Sequence, residues 1–260
     1  MLRRIIFSLV GFYLFVIGYL YFTQDDQVFN AKMLVVKEQK IEGEGIEALS
    51  FDVDGATLKG VYRKTSDTAP LLLYFGGNAD DAREFVKITR PVMGYDIMAL
   101  NYRGYVDSNG KPSEKALYAD ALAQYDAFGK ERDVISVGRS LGTGVAIYVA
   151  SKRDVKGLVL ITPYDSILSM AQQKYPYFPI DVLLKHPFEA VNYLPTVKAP
   201  IAVVEVDKDA TIPRYHLERL LSVMPKAPLH VTLYNTTHGD VLEHPSFNKE
   251  LQTLLGKIRE

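Results

Sequence analysis

Cysteine is absent from the 260 residues of the chain. Disulfides, thiolate zinc sites, iron–sulfur clusters and cysteine nucleophiles are therefore excluded. An excess of basic charge is missing as well, because 30 lysine and arginine residues stand against 31 aspartate and glutamate residues. Proteins that neutralise nucleic-acid phosphates depend on such an excess, so we expect no nucleic-acid partner.

Disorder and low complexity are also excluded by the composition. Hydrophobic residues make up 48% of the chain and charged residues 23%, as in an ordinary globular protein. No internal repeat is visible in the sequence. The length is sufficient for one domain of ordinary size or two small ones.

A long run without charge stands near the N-terminus. Residues 5–22 include fifteen apolar or aromatic residues among eighteen. As a helix, this run would be about 27 Å long, close to the hydrocarbon core of a bilayer at about 30 Å. Arg3 and Arg4 precede it, and Asp25 and Asp26 follow it. The positive-inside rule then predicts a cytoplasmic N-terminus, with the rest of the chain on the extracytoplasmic (periplasmic) side.

Two other interpretations of this run stay open, a cleaved signal peptide and a helix buried in the globular domain. A signal peptide needs a cleavage site of small residues, and residues 23–29, TQDDQVF, offer none. We expect an uncleaved membrane anchor over residues 1–23 and a juxtamembrane connector over 24–47. The remaining residues, 48–260, would form the globular domain.

Beyond residue 48, short apolar segments alternate with helix-like segments. A hairpin is expected around Gly55, followed by strands over 70–75, 95–102, 133–137, 157–162, 201–206 and 229–234. This alternation predicts an α/β fold, a mostly parallel sheet with helices on both faces. Residues 165–199 break the pattern with four prolines and several aromatic residues, which predicts a lid-like insertion above the sheet.

One helix start is marked by a capping signal. Ser113 follows Pro112 and precedes the helix-like segment 114–128. Serine is a preferred N-cap because its hydroxyl oxygen accepts a hydrogen bond from a free N–H group of the first turn. The sequence therefore predicts a helix that begins directly after Ser113.

A serine nucleophile is predicted at Ser140. Residues 138–142, Gly-Arg-Ser-Leu-Gly, match G-x-S-x-G between a predicted strand and a predicted helix, the context of a nucleophile elbow. A Cβ at either glycine would collide with the neighbouring strand or helix, and Ser140 would adopt a strained backbone conformation. A phosphate-binding turn is the alternative, but neither G-x-x-x-x-G-K-[ST] nor G-x-G-x-x-G is present here. Arg139 could contact substrate or form a structural ion pair.

The partners of a catalytic serine are expected after the last two strands, in the chain order serine, acid, histidine. His238 is the one histidine in the loop after the last predicted strand, whereas the other four lie elsewhere. Asp207 and Asp209 both follow the strand before it. The residues alone leave the choice between these two acids open.

In this combination and order, the motifs resemble the α/β-hydrolase superfamily. The resemblance is greatest to a membrane-anchored serine hydrolase branch that is also similar to monoacylglycerol lipases, protein depalmitoylases and prolyl-peptidase-type domains. It covers about residue 48 to the C-terminus. Beyond the elbow, it is carried by Phe75–Ala79, Asn101–Tyr105, Ser108–Glu114, Tyr175-Pro176, Pro179 and Asp209–Pro213.

The resemblance implies an α/β-hydrolase fold with an eight-stranded type of sheet, preceded by one transmembrane helix. It implies that Asp209, four residues before Pro213, is the acid of the triad, and that Asp207 is a hydrogen-bonding residue of the same loop. It also implies an oxyanion hole formed by the backbone N–H groups of Asn78 and Leu141.

The chain departs from the family pattern at two places. Gly76-Gly77-Asn78-Ala79 stands where the family usually has His-Gly-Asn-Ala, and Val106 stands where it usually has glycine. The family histidine is normally a scaffold residue outside the triad. Its absence therefore bears on the rigidity of the loop more than on the chemistry.

These features imply a serine hydrolase that cleaves carboxylic ester or thioester bonds through an acyl-enzyme on Ser140, with no metal or organic cofactor. The anchor and the aromatic insertion favour a small-molecule or lipid-like acyl substrate at a membrane. A serine peptidase is the second enzyme hypothesis, although no N-terminal propeller is present to restrict its substrates. A catalytically silent binding module is the hypothesis from another class, supported only by the altered oxyanion loop.

Overall fold

The computed structural model of the chain describes residues 1–31 and 45–260. The predicted juxtamembrane connector, residues 24–47, is therefore described only at its two ends. Its residues 32–44 lie outside the described residues.

In the described part of the chain, eight strands form one sheet. They are β1 (Ile46–Val53), β2 (Ala56–Arg63), β3 (Leu71–Phe75), β4 (Asp96–Leu100), β5 (Val134–Arg139), β6 (Gly157–Ile161), β7 (Ile201–Lys208) and β8 (Leu229–Thr237). Their order across the sheet is β1-β2-β4-β3-β5-β6-β7-β8. Strand β2 pairs antiparallel with β1 and β4, and every other neighbouring pair is parallel. The predicted edge hairpin and mostly parallel sheet are confirmed.

The described part of the chain contains nine α-helices, several of which cover the two faces of the sheet. They are α1 (Leu2–Val28), α2 (Ala82–Ile88), α3 (Glu114–Phe128), α4 (Leu141–Lys152), α5 (Ile167–Lys174), α6 (Ile180–Leu183), α7 (Ala190–Tyr193), α8 (Arg214–Ser222) and α9 (Phe247–Ile258). Successive side chains of a strand point to opposite faces, so Leu71 and Leu73 of β3 pack with α3, α4 and α8. Leu72 and Tyr74 pack with α2 and α9. Both faces are therefore apolar, and β3, β4 and β6 are buried along their whole length.

The parallel arrangement brings the predicted site residues to one edge of the sheet. Ser140 directly follows β5, Asp209 directly follows β7 and His238 directly follows β8. The carboxyl ends of parallel strands lie at the same edge, where ligands of open α/β sheets bind. Three loops that are distant in sequence can therefore meet above β5–β8.

Two further segments lie over this edge. The insertion between β6 and β7 contains α5, α6 and α7. Helix α1 continues to Val28, five residues beyond the predicted end of the anchor at 23. Among the described residues, α1 is the one helix that is long and apolar enough to cross a membrane, and none of its most apolar 18-residue stretch is buried. This exposure is the opposite of what a buried core helix would show.

The predicted cap of α3 provides a test of local stability. The Ala116 N–H donates to Ser113 Oγ at 3.2 Å, as the sequence predicts. Ser113→Ala removes this acceptor, and we expect the free energy of unfolding to fall by about 1 kcal/mol. Urea unfolding of the full chain in detergent, followed by circular dichroism, measures the loss. Ser113→Asp keeps an acceptor and should retain wild-type stability, so an equal loss in both variants would contradict the capping role.

Candidate active site

Ser140 occupies a strained turn between β5 and α4. Its backbone dihedral angles are φ 49° and ψ −120°, a region that residues with a side chain rarely adopt. The turn is held because the Ser140 N–H donates to the Ile161 carbonyl of β6 at 2.9 Å. The predicted elbow geometry is therefore present at Ser140.

The two glycines of the elbow are required by close backbone contacts. A Cβ on Gly138 would overlap the carbonyl oxygen of Gly142 in the first turn of α4. A Cβ on Gly142 would overlap the carbonyl oxygen of Phe75 at the end of β3. The helix can approach the strands this closely only because neither position carries a side chain.

A continuous chain of hydrogen bonds joins the serine to a histidine and an aspartate. Ser140 Oγ lies 2.8 Å from His238 Nε2, and His238 Nδ1 lies 2.8 Å from Asp209 Oδ2. An ionised carboxylate only accepts, so Nδ1 carries the hydrogen toward Asp209, and Nε2 of the neutral ring can accept the serine proton. The structure thus brings together the three residues predicted for the triad.

Asp209 is itself fixed by the backbone that follows it. Its Oδ1 atom accepts hydrogen bonds from the N–H groups of Thr211 at 2.9 Å and Ile212 at 2.8 Å. The second acid, Asp207, instead accepts from the Thr236 N–H at 3.3 Å. Hydrogen bonds from the backbone of the β8 end lower the pKa of Asp207. The geometry therefore separates the two acids that the residues alone left open.

The two predicted oxyanion donors border the same cavity as Ser140. Leu141 is the first residue of α4, and a first-turn N–H has no acceptor within its helix. The Gly77 carbonyl accepts from the Asp80 N–H at 3.5 Å. Because the peptide bond is trans, the Asn78 N–H points away from that carbonyl. Asn78 and Leu141 thus lie where the oxyanion hole is predicted, and their role as donors stays a prediction.

Tyrosines hold the loop from which the family histidine is missing. Tyr102 donates its hydroxyl to the Gly76 carbonyl at 2.9 Å, and Tyr105 donates to the Asn78 carbonyl at 3.0 Å. Burial raises the pKa of both phenols, which keeps them protonated as donors. The Asn30 N–H, just after α1, also donates to the Asn78 carbonyl at 3.0 Å. Hydrogen bonds to the Gly76 and Asn78 carbonyls thus hold the loop in place without a histidine.

An ion pair connects this loop to the triad. Asp80 Oδ2 accepts from the Gly77 N–H at 2.7 Å, and its Oδ1 lies 2.5 Å from Arg139 Nη1. Arg139 Nη2 donates to the backbone carbonyls of His238 at 3.1 Å and Gly239 at 3.0 Å. Burial alone would lower the pKa of Arg139, but the Asp80 carboxylate raises it, so the guanidinium stays charged. Arg139 therefore forms the structural ion pair, the second of its two predicted roles.

Sequence reasoning missed Asp80, although it stands two residues after the Asn78 of a recognised motif. A carboxylate so close to a loop with two glycines was the available signal, because it can accept from free backbone N–H groups. Arg139, the ion-pair partner of Asp80, lies 59 residues further along the chain. No spacing rule connects two positions at that separation.

A cavity of about 630 Å³ opens over Ser140 and His238. This volume is in the range of pockets that bind small organic ligands. One wall belongs to the insertion and another to the C-terminal part of α1. The insertion contributes Ile167, Met170, Ala171, Gln173, Lys174, Tyr175, Ile180, Leu183 and Leu184, and α1 contributes Leu20, Tyr21, Gln24, Gln27 and Val28.

The wall contributed by α1 was not predicted, because the N-terminal run was interpreted only as an anchor. Gln24 lies in the polar segment that ends α1, and no local signal marks it as a residue of the cavity wall. Its side chain is buried and bonds to the insertion, with Nε2 donating to the Leu183 carbonyl at 3.1 Å. His216, on helix α8, also borders the cavity, and its Nδ1 lies 2.8 Å from the buried Asp165.

Comparison with known proteins places this geometry in context. No family model matches the chain. An uncharacterized protein of Mycobacterium tuberculosis (strain H37Rv) is 30% identical over 196 residues, which cover 72% of this chain and 70% of that protein. The lysophosphatidylserine lipase ABHD12 of Xenopus tropicalis is 27% identical over 249 residues, which cover 80% of this chain and 63% of the lipase.

Among solved structures, an α/β-hydrolase from Vibrio vulnificus has the same fold. Its crystal structure matches with a TM-score of 0.67 and 18% identity, covering 90% of this chain and 91% of that one. The sheet order, the strand–turn–helix elbow and these relatives agree. The chain belongs to the α/β-hydrolase superfamily.

Proposed function

We propose that the chain is a membrane-anchored serine hydrolase that cleaves carboxylic ester or thioester bonds of lipid-like acyl substrates through an acyl-enzyme on Ser140. The observation that carries this proposal is the hydrogen-bonded series Asp209–His238–Ser140 at the base of the cavity. The lipase name of the ABHD12 relative supports a lipid ester as the substrate.

The first half of the reaction forms the acyl-enzyme. His238 Nε2 takes the hydroxyl proton while Ser140 Oγ bonds to the acyl carbon, and the carbonyl oxygen gains the negative charge. The bond to the leaving alcohol or thiol then breaks, and that group departs with the proton from His238. Asp209 holds the ring in the required tautomer and stabilises its charged form throughout.

Water completes the cycle. His238 takes a proton from a water molecule as its oxygen bonds to the acyl carbon, and the ester bond to Ser140 Oγ then breaks. Ser140 recovers its proton from His238, and the carboxylic acid leaves. In both halves, the N–H groups of Asn78 and Leu141 stabilise the oxyanion, and one such donor contributes about 2.7–4 kcal/mol to the barrier reduction.

The location follows from α1 and its flanking charges. We propose that α1 anchors the enzyme, with Arg3 and Arg4 on the cytoplasmic side and the hydrolase domain on the extracytoplasmic side. Support comes from the unburied apolar stretch of α1 and from the acids Asp25 and Asp26 at its other end. The small-molecule partner is then an acyl substrate of the same membrane.

Labelling of the full chain in detergent by a fluorophosphonate tests the nucleophile. The probe bonds to an activated serine, so wild-type protein should be labelled and Ser140→Ala should not. Labelling at another residue, or none in folded wild-type protein, would contradict the proposed mechanism.

A matched pair of acids tests the orienting role of Asp209. Asp209→Asn changes the hydrogen bond to His238 Nδ1, and we expect kcat for p-nitrophenyl butyrate to fall by about 10⁴-fold. Asp207→Asn, two residues away, should leave kcat close to wild type, because Asp207 contacts the Thr236 N–H. Equal losses in the two variants would argue against Asp209 as the acid.

Arg139 is expected to act as a positioning residue. Arg139→Lys keeps a positive charge near Asp80. It loses the second N–H group of the guanidinium, which donates to the His238 and Gly239 carbonyls. We expect kcat for p-nitrophenyl butyrate to fall by about tenfold, with KM little changed, because the loss of one charged hydrogen bond is worth about 1.5–3 kcal/mol. Arg153→Lys, in an ion pair with Asp126 far from the cavity, is the control. A folded Arg139→Lys enzyme with wild-type kcat would contradict the positioning role of Arg139.

A further inference from the structure

We propose that the tip of the insertion, residues 175–180 (hereafter the lid tip), is immersed in the lipid layer that holds α1, so that the cavity receives its substrate sideways from the bilayer. The substrate would be an amphiphilic ester with an apolar acyl chain. The substrate part of this inference rests on the proposed hydrolase activity, whereas the immersion of the lid tip does not depend on it.

The lid tip is attached to the middle of α1. The Tyr13 ring stacks on Phe178 with centroids 5.3 Å apart and an angle of 7° between the planes. The Tyr13 hydroxyl donates to the Tyr177 carbonyl at 3.0 Å. The insertion meets α1 again at Gln24, whose Oε1 accepts from the Lys185 N–H at 2.7 Å. These two attachments are eleven residues apart on α1, so the insertion follows the helix for about 16 Å.

Helix lengths then place the lid tip within the lipid. The stretch without charge, Ile5–Gln24, has twenty residues, about 30 Å of helix and thus one hydrocarbon core. Only Leu2–Phe12 extends beyond the attachment at Tyr13, and this part is about 16 Å long. It is too short to cross a bilayer alone. If α1 crosses the bilayer, Tyr13 and the lid tip bound to it must lie below the lipid surface.

The side chains of this region suit lipid better than water. Residues 175–180, YPYFPI, contain no charge, and Tyr177 is 84% exposed. Val182, just beyond the tip, is 79% exposed. The nearest charged residues are Lys174, whose long stem allows its ammonium to reach the surface, and Asp181. Asp181 lies in α6, which leads back to Leu183 at the level of Gln24.

Most backbone polar groups of the lid tip have a partner within the protein, which lowers the cost of placing the tip in lipid. Pro176 and Pro179 have no N–H group. The N–H groups of Phe178 and Ile180 donate to carbonyls within the tip at 3.1 and 2.8 Å. The Tyr177 carbonyl is satisfied by α1, as described above.

The cavity lies between the same two elements. Leu20 and Val28 of α1 line it together with Tyr175 and Ile180 of the insertion, and Ser140 borders the same cavity. An acyl chain that leaves the bilayer beside α1 can therefore reach the serine along apolar side chains. Entry by this route avoids exposing the chain to water, which the hydrophobic effect opposes.

Immersion can be measured directly because the chain contains no tryptophan. Tyr177→Trp introduces a single indole at the lid tip of the full-length protein, reconstituted in phosphatidylcholine vesicles with or without brominated acyl chains. Bromine quenches only an indole that lies within the lipid. We expect a blue-shifted emission and a loss of intensity as large as that of Phe22→Trp, at a position 79% exposed on α1.

Tyr234→Trp is the matched negative control, since Tyr234 is a 67% exposed tyrosine of β8. Its emission should be insensitive to brominated lipid. The proposal is overturned if Tyr177→Trp resembles Tyr234→Trp while Phe22→Trp is quenched.

Substrate entry is tested by placing a charge at the same position. Tyr177→Asp should slow the hydrolysis of p-nitrophenyl palmitate in phosphatidylcholine vesicles by about tenfold, because a carboxylate is disfavoured in lipid. Hydrolysis of water-soluble p-nitrophenyl acetate should stay unchanged, and Tyr234→Asp should affect neither ester. An unchanged palmitate rate, or an equal loss with both esters, would overturn sideways entry. If the wild-type serine is not labelled by a fluorophosphonate, the proposed function fails, yet the quenching result still decides the immersion.

Discussion

The close approach of α4 to the end of β3 is the contact on which the site depends. Gly142 lies against the Phe75 carbonyl without room for a Cβ, so the first turn of α4 sits directly beside the loop that follows β3. This contact places the Leu141 and Asn78 backbones on either side of Ser140. Ser140 has a strained conformation in this turn, and the strain is retained because the neighbouring strands β5 and β6 are completely buried.

The ion pair between Asp80 and Arg139 holds the loop after β3 against the loop after β8. Asp80 and Arg139 are two groups that lose hydration in the interior, and each is compensated by the other and by backbone groups. Their hydrogen bonds reach Gly77 on the oxyanion side and the His238 carbonyl on the base side. A movement of either loop would leave a charge without its partners. The ion pair and the two tyrosines thereby provide the rigidity that the family assigns in part to a histidine.

Local patterns predicted most of the fold, because strands and helices are determined by their own apolar periodicity and end signals. The strand over Leu71–Phe75, the cap at Ser113 and the elbow at Ser140 all follow from adjacent residues. The end of β8 lies three residues later than predicted, because pairing with β7 continues past the apolar run. The contact between Gln24 and Leu183 spans 159 residues. No local pattern carries such information, so the place of α1 in the cavity wall could not be predicted.

A short stretch of chain at the end of α1 connects the proposed membrane anchor to the site. Val28 and Phe29, at the end of the helix, are buried in the same core as α3 and α4. One residue later, the Asn30 N–H bonds to the Asn78 carbonyl of the oxyanion loop. Helix α1 is thus attached to the insertion through Gln24 and, through Asn30, to this loop, so it cannot rotate independently of the site. If α1 crosses the bilayer, as we propose, these attachments set the orientation of the cavity relative to it.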